Sequence, residues 1–164
     1  MRLIKLGIIS FVVIFLVIFL LSLLIPSTVR VSRAINIDAP VDSVMAQVKD
    51  IRNWKGWNEM LNNPDYKDVS YTESGFHSDQ VQIKIRSAKA DSVLTDWHQL
   101  SGRDIHSGFA CFNMNGVTVL QWYFDFKLRW YPWEKIGSII FDKQLGPPME
   151  KSLGNLKTMV EKQP

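Results

Sequence analysis

Residues 118–130 read TVLQWYFDFKLRW. Leu120, Trp122, Phe124, Phe126, Leu128 and Trp130 fall on one side of an extended chain; Gln121, Tyr123, Asp125, Lys127 and Arg129 fall on the other. Successive side chains of a strand point to opposite faces, so this alternation predicts a strand with one face in a core and the other in water. Just before it, Asn115-Gly116 is a hairpin dipeptide, because both positions tolerate positive φ. The hairpin leads back to a strand over residues 105–114. The turn residues Ser101-Gly102-Arg103-Asp104 then lead to SVLTDWHQL at 92–100. VQIKIRS at 81–87 alternates in the same way, with Val81, Ile83 and Ile85 opposed to Gln82, Lys84 and Arg86. Strands that follow one another through turns this short pair antiparallel.

Working outward from this run, the period changes on both sides. Asn62-Asn63-Pro64-Asp65 is turn chemistry and closes a helical stretch, DAPVDSVMAQVKDIRNWKGW at 38–57. Pro40 suits a first helical turn, where its missing N–H needs no partner. Val41, Val44, Met45 and Val48 make a helical stripe, and Ile51, Trp54 and Trp57 a second short helix after a break near Asp50. Ahead of these, VRVSRAINI at 29–37 alternates as a strand. From Glu134 onward the chain is helical, with Ile136, Ile139 and Ile140 first, then Leu145, Met149, Leu153, Leu156 and Val160. Gly146-Pro147-Pro148 is expected to kink or interrupt it. The order of strand, two short helices, antiparallel strands and a long last helix predicts an α+β domain with helices on one face of a curved sheet.

The N-terminus is of another kind. From Leu6 to Ile25, seventeen of twenty residues are Leu, Ile, Val or Phe, and no charge lies between Lys5 and Arg30. A helix of that length rises about 30 Å, the thickness of a bilayer's hydrocarbon core. A cleaved signal peptide has a shorter apolar region, and IPSTVRVSRA at 25–34 lacks a small-x-small cleavage site. Residues 1–27 therefore read as a single-pass transmembrane anchor and its exit, meeting the lipid bilayer through residues 6–25, and residues 28–164 as one globular domain. Arg2 and Lys5 with the terminal amine, set against Arg30 and Arg33, lean towards a globular part outside the cytoplasm.

Charge narrows the function. The formal net charge is +3; without Arg2 and Lys5 the rest holds 17 basic and 16 acidic residues. Phosphate recognition needs a clear positive surplus, so nucleic acid is not an expected partner. One cysteine, Cys111, allows no internal disulfide. No phosphate loop, GxSxG elbow or paired-glutamate helix is present, and neither a cofactor nor a metal site is expected. His77, His98 and His106 share no metal-ligand spacing. His98 and His106 could meet across the hairpin joining their strands, near Asp96 or Asp104, although exposed histidines on a polar face explain the same pattern.

The opening strand with INIDAPVDSVMAQVKDIRNWKGWNEM at 35–60 resembles the N-terminus of the START-like (SRPBCC) helix-grip superfamily, in its polyketide cyclase/dehydrase and lipid-transport branch. The ending YPWEKIGSIIFDKQLGPPMEKSLGNLK at 131–157 is similar to the last helix of membrane-anchored bacterial members. The resemblance covers most of residues 29–157 and implies a bent antiparallel sheet wrapped around the C-terminal helix, with a hydrophobic cavity between them. Many members carry a glycine-rich stretch ahead of a tryptophan strand; here YTESGFHSDQVQIKI at 71–85 has Gly75 alone, which implies a different pocket mouth.

Six Trp and six Phe lie in the globular part. Such side chains fill cores, and with the resemblance they also suit a pocket for a lipid or other hydrophobic small molecule. Trp97, Phe109, Trp122 and Phe124 are the expected sheet side of that pocket, Phe141, Leu145 and Met149 its helix side, and Trp57 lies near its mouth. No catalytic residue is assigned. The alternatives are a cyclase, dehydrase or hydrolase using the same cavity, for which His98, His106 and Asp96 are the available titratable groups, and a non-catalytic scaffold or interaction module. The oligomeric state is not encoded in any of these patterns.

Overall fold

The computed structural model describes residues 2–99, 102 and 104–162. Strands β1 (Thr28–Ile37), β2 (Ser70–Tyr71), β3 (Gly75–His77), β4 (Val81–Ala88), β5 (Ser92–Gln99), β6 (Asp104–Met114) and β7 (Val117–Lys127) form one antiparallel sheet, ordered β1-β7-β6-β5-β4-β3-β2. Every strand but the first is hydrogen-bonded to its sequence neighbour. The first closes the far edge by pairing with the last, from Thr28↔Lys127 to Ile37↔Thr118. A register shift between Ile85 and Ser87 places a bulge on β4 and adds to the curvature. Asn115 and Gly116 turn the β6–β7 hairpin at φ 53° and 86°. At the β5–β6 turn Gly102 also has positive φ, while Ser101, Arg103 and Leu100 of the expected strand and turn lie outside the described residues.

The helices that follow the first strand and the long C-terminal helix take one face of the sheet. Helix α1 (Arg2–Leu23) is the apolar N-terminal segment, and its Ile4–Leu23 stretch is long and apolar enough to cross a membrane. Helices α2 (Val41–Lys49) and α3 (Ile51–Trp54) follow β1. The Asp50 carboxylate caps α3 by accepting the Arg52 N–H at 2.9 Å. After β7 come α4 (Pro132–Gly137), a 3₁₀ turn (Ser138–Ile140) and α5 (Phe141–Glu161). Helix α5 lies along β1, and α2 packs on β5, β6 and α5. The fold is the α+β helix-grip arrangement that the sequence predicts.

Four details differ from the sequence reading. Strand β7 stops at Lys127 because its partner begins at Thr28; Leu128 stays buried, but Trp130 is exposed, beyond the last strand that could cover it. Two short strands, β2 and β3, occupy a stretch too brief to show alternation. Helix α5 runs through Pro147 and Pro148. The carbonyls those prolines leave without a helical partner belong to Lys143 and Gln144, both exposed, where water can serve them. The helical break falls earlier, between α4 and α5. There the apolar residues named first in the helix lie on the outer side: Ile136, Ile139 and Ile140 are exposed, while Lys135 and Ser138 are buried. The reason is α1, whose last turn packs against α4 and takes the inner side.

Candidate functional site

A cavity of about 600 Å³ lies between the sheet and the start of α5. Its floor is the inner sheet face, where Val81, Trp97 and Phe124 are buried. Alternation along β6 and β7 adds Ile105 and Phe126, and α5 supplies Phe141 and Leu145 as the opposite wall. The Trp97 and Phe124 rings meet edge to face at 5.1 Å, and Phe126 meets Phe141 across the gap at 4.7 Å. Met60 and Tyr66, from the segment after α3, close one side. Half-buried apolar side chains around an open concave space are the ordinary lining of a small-molecule pocket, which typically spans about 300–1,000 Å³.

The register locates this cavity along the strands. Phe124 pairs with Val31 and Phe126 with Val29, so the cavity sits at the end of the sheet where the chain leaves α1. At the other end the space is filled: α2 and α3 press Trp54 and Trp57 onto the sheet, where Phe109 and Trp122 stack at 5.0 Å. Trp57 packs edge to face against both, at 6.0 Å and 6.3 Å.

Of the eight pocket residues read from sequence, Trp97, Phe124, Phe141 and Leu145 line the cavity, and Phe109, Trp122, Trp57 and Met149 do not. The latter four are fully buried in the neighbouring core, so Trp57 is not at a mouth. Alternation identifies the inner face but not which stretch of it the helices cover. Ile105 and Phe126 lie on the same alternating faces and continue the signal; Met60, Tyr66, Asp79 and Gln80 lie in segments without periodicity.

Polar groups gather at the rim. Asp79, Gln80, Gln99 and Gln144 are exposed lining residues. The Asp79 carboxylate accepts the Lys67 N–H at 2.8 Å, and the Gln80 amide donates to the Asp65 carbonyl. Burial pushes the pKa of the Tyr66 phenol above its ordinary value, and the charge of Asp79 raises it further, so Tyr66 stays protonated and remains a hydrogen-bond donor. The indole N–H of the floor is already used, Trp97 donating to Thr95 Oγ1 at 3.1 Å; in the neighbouring core Trp122 donates to Ser107 Oγ at 2.9 Å. The floor is therefore apolar and the mouth polar, a gradient suited to a greasy molecule with one polar end.

The histidines lie on the other face. Asp96 is opposite His106 and His98 opposite Asp104. His106 Nδ1 is 2.7 Å from Asp96 Oδ1, and His98 Nδ1 is 2.5 Å from Asp104 Oδ1. These are two separate cross-strand pairs that point away from the cavity, with His98 in contact with solvent. Among the described residues no group of three or more His, Cys, Asp or Glu side chains is arranged to hold a metal. Cys111 is buried, and burial together with Asp91 pushes its thiol up, against nucleophilic use.

A curved antiparallel sheet gripping a C-terminal helix over an apolar cavity is a helix-grip fold. Compared by sequence, the chain matches no family model and no curated protein. Compared by structure, it is similar to a START superfamily protein from Mycobacterium smegmatis, at TM-score 0.59 and 17% identity, over 82% of this chain and 99% of that one. It is similar also to DynU16 from the dynemicin biosynthetic locus, at TM-score 0.57 and 19% identity, over 81% of this chain and 47% of that one. A third is BexL, a di-domain ARO/CYC of the BE-7585A biosynthetic pathway, at TM-score 0.61 and 13% identity, over 84% of this chain and 52% of that one. The chain spans about half the length of DynU16 and of BexL. It has the helix-grip fold of the START-like (SRPBCC) proteins.

Proposed function

We propose that the chain is a single-pass membrane protein whose domain, residues 28–164, binds a hydrophobic small molecule or lipid between the sheet and α5. The observation that carries this reading is the position of the apolar cavity, at the end of the sheet from which α1 departs. Apolar molecules concentrate in bilayers, so a tether that keeps the mouth near the membrane raises the local ligand concentration. The ligand's body would lie on Trp97, Phe124, Phe126 and Leu145, and its polar end would meet Tyr66 and the rim amides. The basic flank at Arg2 and Lys5 favours placing the domain outside the cytoplasm, which a C-terminal reporter fusion tests.

Native mass spectrometry of the full chain extracted in mild detergent tests binding. The expected result is a retained apolar molecule in about one-to-one ratio, together with saturable uptake of an apolar fluorescent probe. A chain that retains nothing and takes up no probe overturns the proposal.

A second reading, a cyclase-type enzyme in the same cavity, is favoured by one observation: Tyr66 and Asp79 line the cavity together, so a phenol hydroxyl stands at the edge of the space where substrate would lie. Conversion of a bound polyketide-like compound that is lost in Tyr66→Phe would select it over simple binding.

A further inference from the structure

The segment linking the sheet to α5 is amphipathic the wrong way round for a water-facing surface. Trp130, Trp133, Ile136, Ile139 and Ile140 are exposed at 66, 65, 44, 66 and 52%. Trp133, Ile136 and Ile140 fall at three- and four-residue steps, one continuous stripe. The inner side of the same segment is polar: Lys135 Nζ donates to the Ile25 carbonyl at 3.0 Å, and Ser138 Oγ to the Lys135 carbonyl at 2.6 Å. A soluble surface normally places these two sides the other way round. Contiguous exposed apolar area marks a contact site.

The occupant follows from where the segment is fastened. Ser22, in the last turn of α1, is fully buried, and α1 packs against α4. The membrane-length stretch ends at Leu23, so the Ile25 carbonyl held by Lys135 lies about 3 Å further along the chain at helical rise. Lys135, and with it the α4 part of the stripe, is thereby tied to the chain just beyond the level at which α1 would leave the hydrocarbon. Tyr131 stacks on Trp133 with ring centres 4.9 Å apart and also contacts Trp130 at 4.8 Å. Clustered Trp and Tyr at this depth are the side chains that settle in a bilayer's interfacial layer.

We propose that Trp130, Trp133, Ile136, Ile139 and Ile140 are a second membrane contact, seated in the interfacial layer of the bilayer that α1 crosses. The proposal rests on the reading of α1 as a membrane anchor. It adds that the domain does not swing freely on that anchor but lies against the lipid. Phe141, the residue after Ile140, lines the ligand cavity, so this docking lays the α5 wall of the cavity beside the bilayer surface. A hydrophobic ligand then passes between bilayer and cavity with little exposure to water.

The test uses the full chain with Cys111→Ser, reconstituted in phosphatidylcholine–phosphatidylglycerol vesicles, with a nitroxide on Ile139→Cys or, separately, on Ile14→Cys. Both positions are exposed, so neither label displaces core. Collision rates with oxygen, which partitions into lipid, and with an aqueous nickel chelate report depth. The expected result is a several-fold preference for oxygen at both sites. Oxygen preference at Ile14 with free nickel access at Ile139 overturns this inference and leaves the anchor standing; nickel access at Ile14 overturns both. A label on Ile139→Cys shielded from both reagents in a dimeric protein assigns the stripe to a second copy and also overturns it. In a separate measurement, brominated lipids should quench indole fluorescence in a chain carrying Trp97→Phe, which removes the indole that lines the cavity, and adding Trp130→Phe with Trp133→Phe should abolish that quenching, because Trp54, Trp57 and Trp122 are buried away from the cavity. Quenching that is absent, or that survives both substitutions, counts against the proposal.

Discussion

The ring of Tyr123 lies across Gly108, its cross-strand partner on the outer face of the sheet. A methyl group at Gly108 would overlap the phenol ring and crowd Leu94. The ring is held from its other side by Arg30, whose guanidinium sits 4.2 Å from the ring centre and is locked to both oxygens of Asp125 at 2.6 and 2.7 Å. The aromatic thus covers backbone that the glycine leaves bare. Gly108→Ala is expected to destabilise the domain by about 1–3 kcal/mol, the usual cost of forcing volume into a filled site. Thermal unfolding of the detergent-solubilised chain measures it, and a second substitution, Tyr123→Ala, should make the added methyl nearly neutral.

The junction between anchor and domain depends on Lys135. Lys135→Met keeps the buried stem but leaves the Ile25 carbonyl without its charged donor, an interaction contributing about 1.5–3 kcal/mol. Amide exchange over residues 24–30 should speed up by about tenfold or more, while protection in β5 and β6 stays the same.

Filling the cavity should separate binding from folding. Leu145 is half-buried on the α5 wall, so Leu145→Trp can extend into the open space without displacing core. Retention of an apolar probe should fall by about tenfold, equivalent to about 1.4 kcal/mol, with the unfolding midpoint little changed. Phe109→Leu, in the filled half of the sheet, should do the reverse: it lowers stability and leaves probe affinity intact.

Stability should respond to pH at both extremes. Hydrogen bonds from Arg33 and Arg52 hold the carboxyls of Asp142 and Asp50 below their ordinary value of 3.8. Their stabilisation is present above that value and disappears as pH falls from it through the depressed values. Burial raises Cys111 above 9.0, and Tyr66 and Tyr71 above 10.0. Those groups favour the folded state fully below 9 and progressively less as pH rises through their raised values. Chemical denaturation across pH should show a plateau between, with losses below about 4 and above about 9.

The outer-face histidine pairs should be dispensable for binding. His98→Gln and His106→Gln each remove one exposed or half-exposed ion-pair partner, worth about 0–1 kcal/mol. Probe affinity and ligand retention in both variants should equal those of the unsubstituted chain.

Most of the architecture could be read before any coordinates because it rests on local periodicity. The two-residue alternation of residues 118–127 identifies the inner and outer sheet faces, Asn115-Gly116 specifies its hairpin, and an uncharged run from Leu6 to Ile25 identifies the apolar helix. The short strands β2 and β3 escaped, since two or three residues cannot display a period. The rim of the cavity escaped for a related reason: Tyr66 and Asp79 stand in irregular segments and are brought together only when the chain closes.

The division between core and cavity is of a different kind. Trp122 and Phe124 stand two residues apart on one strand face, with the same alternation and nearly the same burial, yet only Phe124 borders open space. What separates them is the placement of α2, α3 and the turn after α3, which fill one half of the sheet with Trp54 and Trp57 and leave the other half to the start of α5, with Met60 and Tyr66 at its side. The same holds for residues 133–140, whose apolar stripe faces outward because the end of α1 takes the inner side. Alternation of apolar and polar residues is a property of neighbouring positions, so the chain carries it openly. Which apolar face meets protein, a cavity or lipid depends on distant segments competing for that face, and packing resolves the competition.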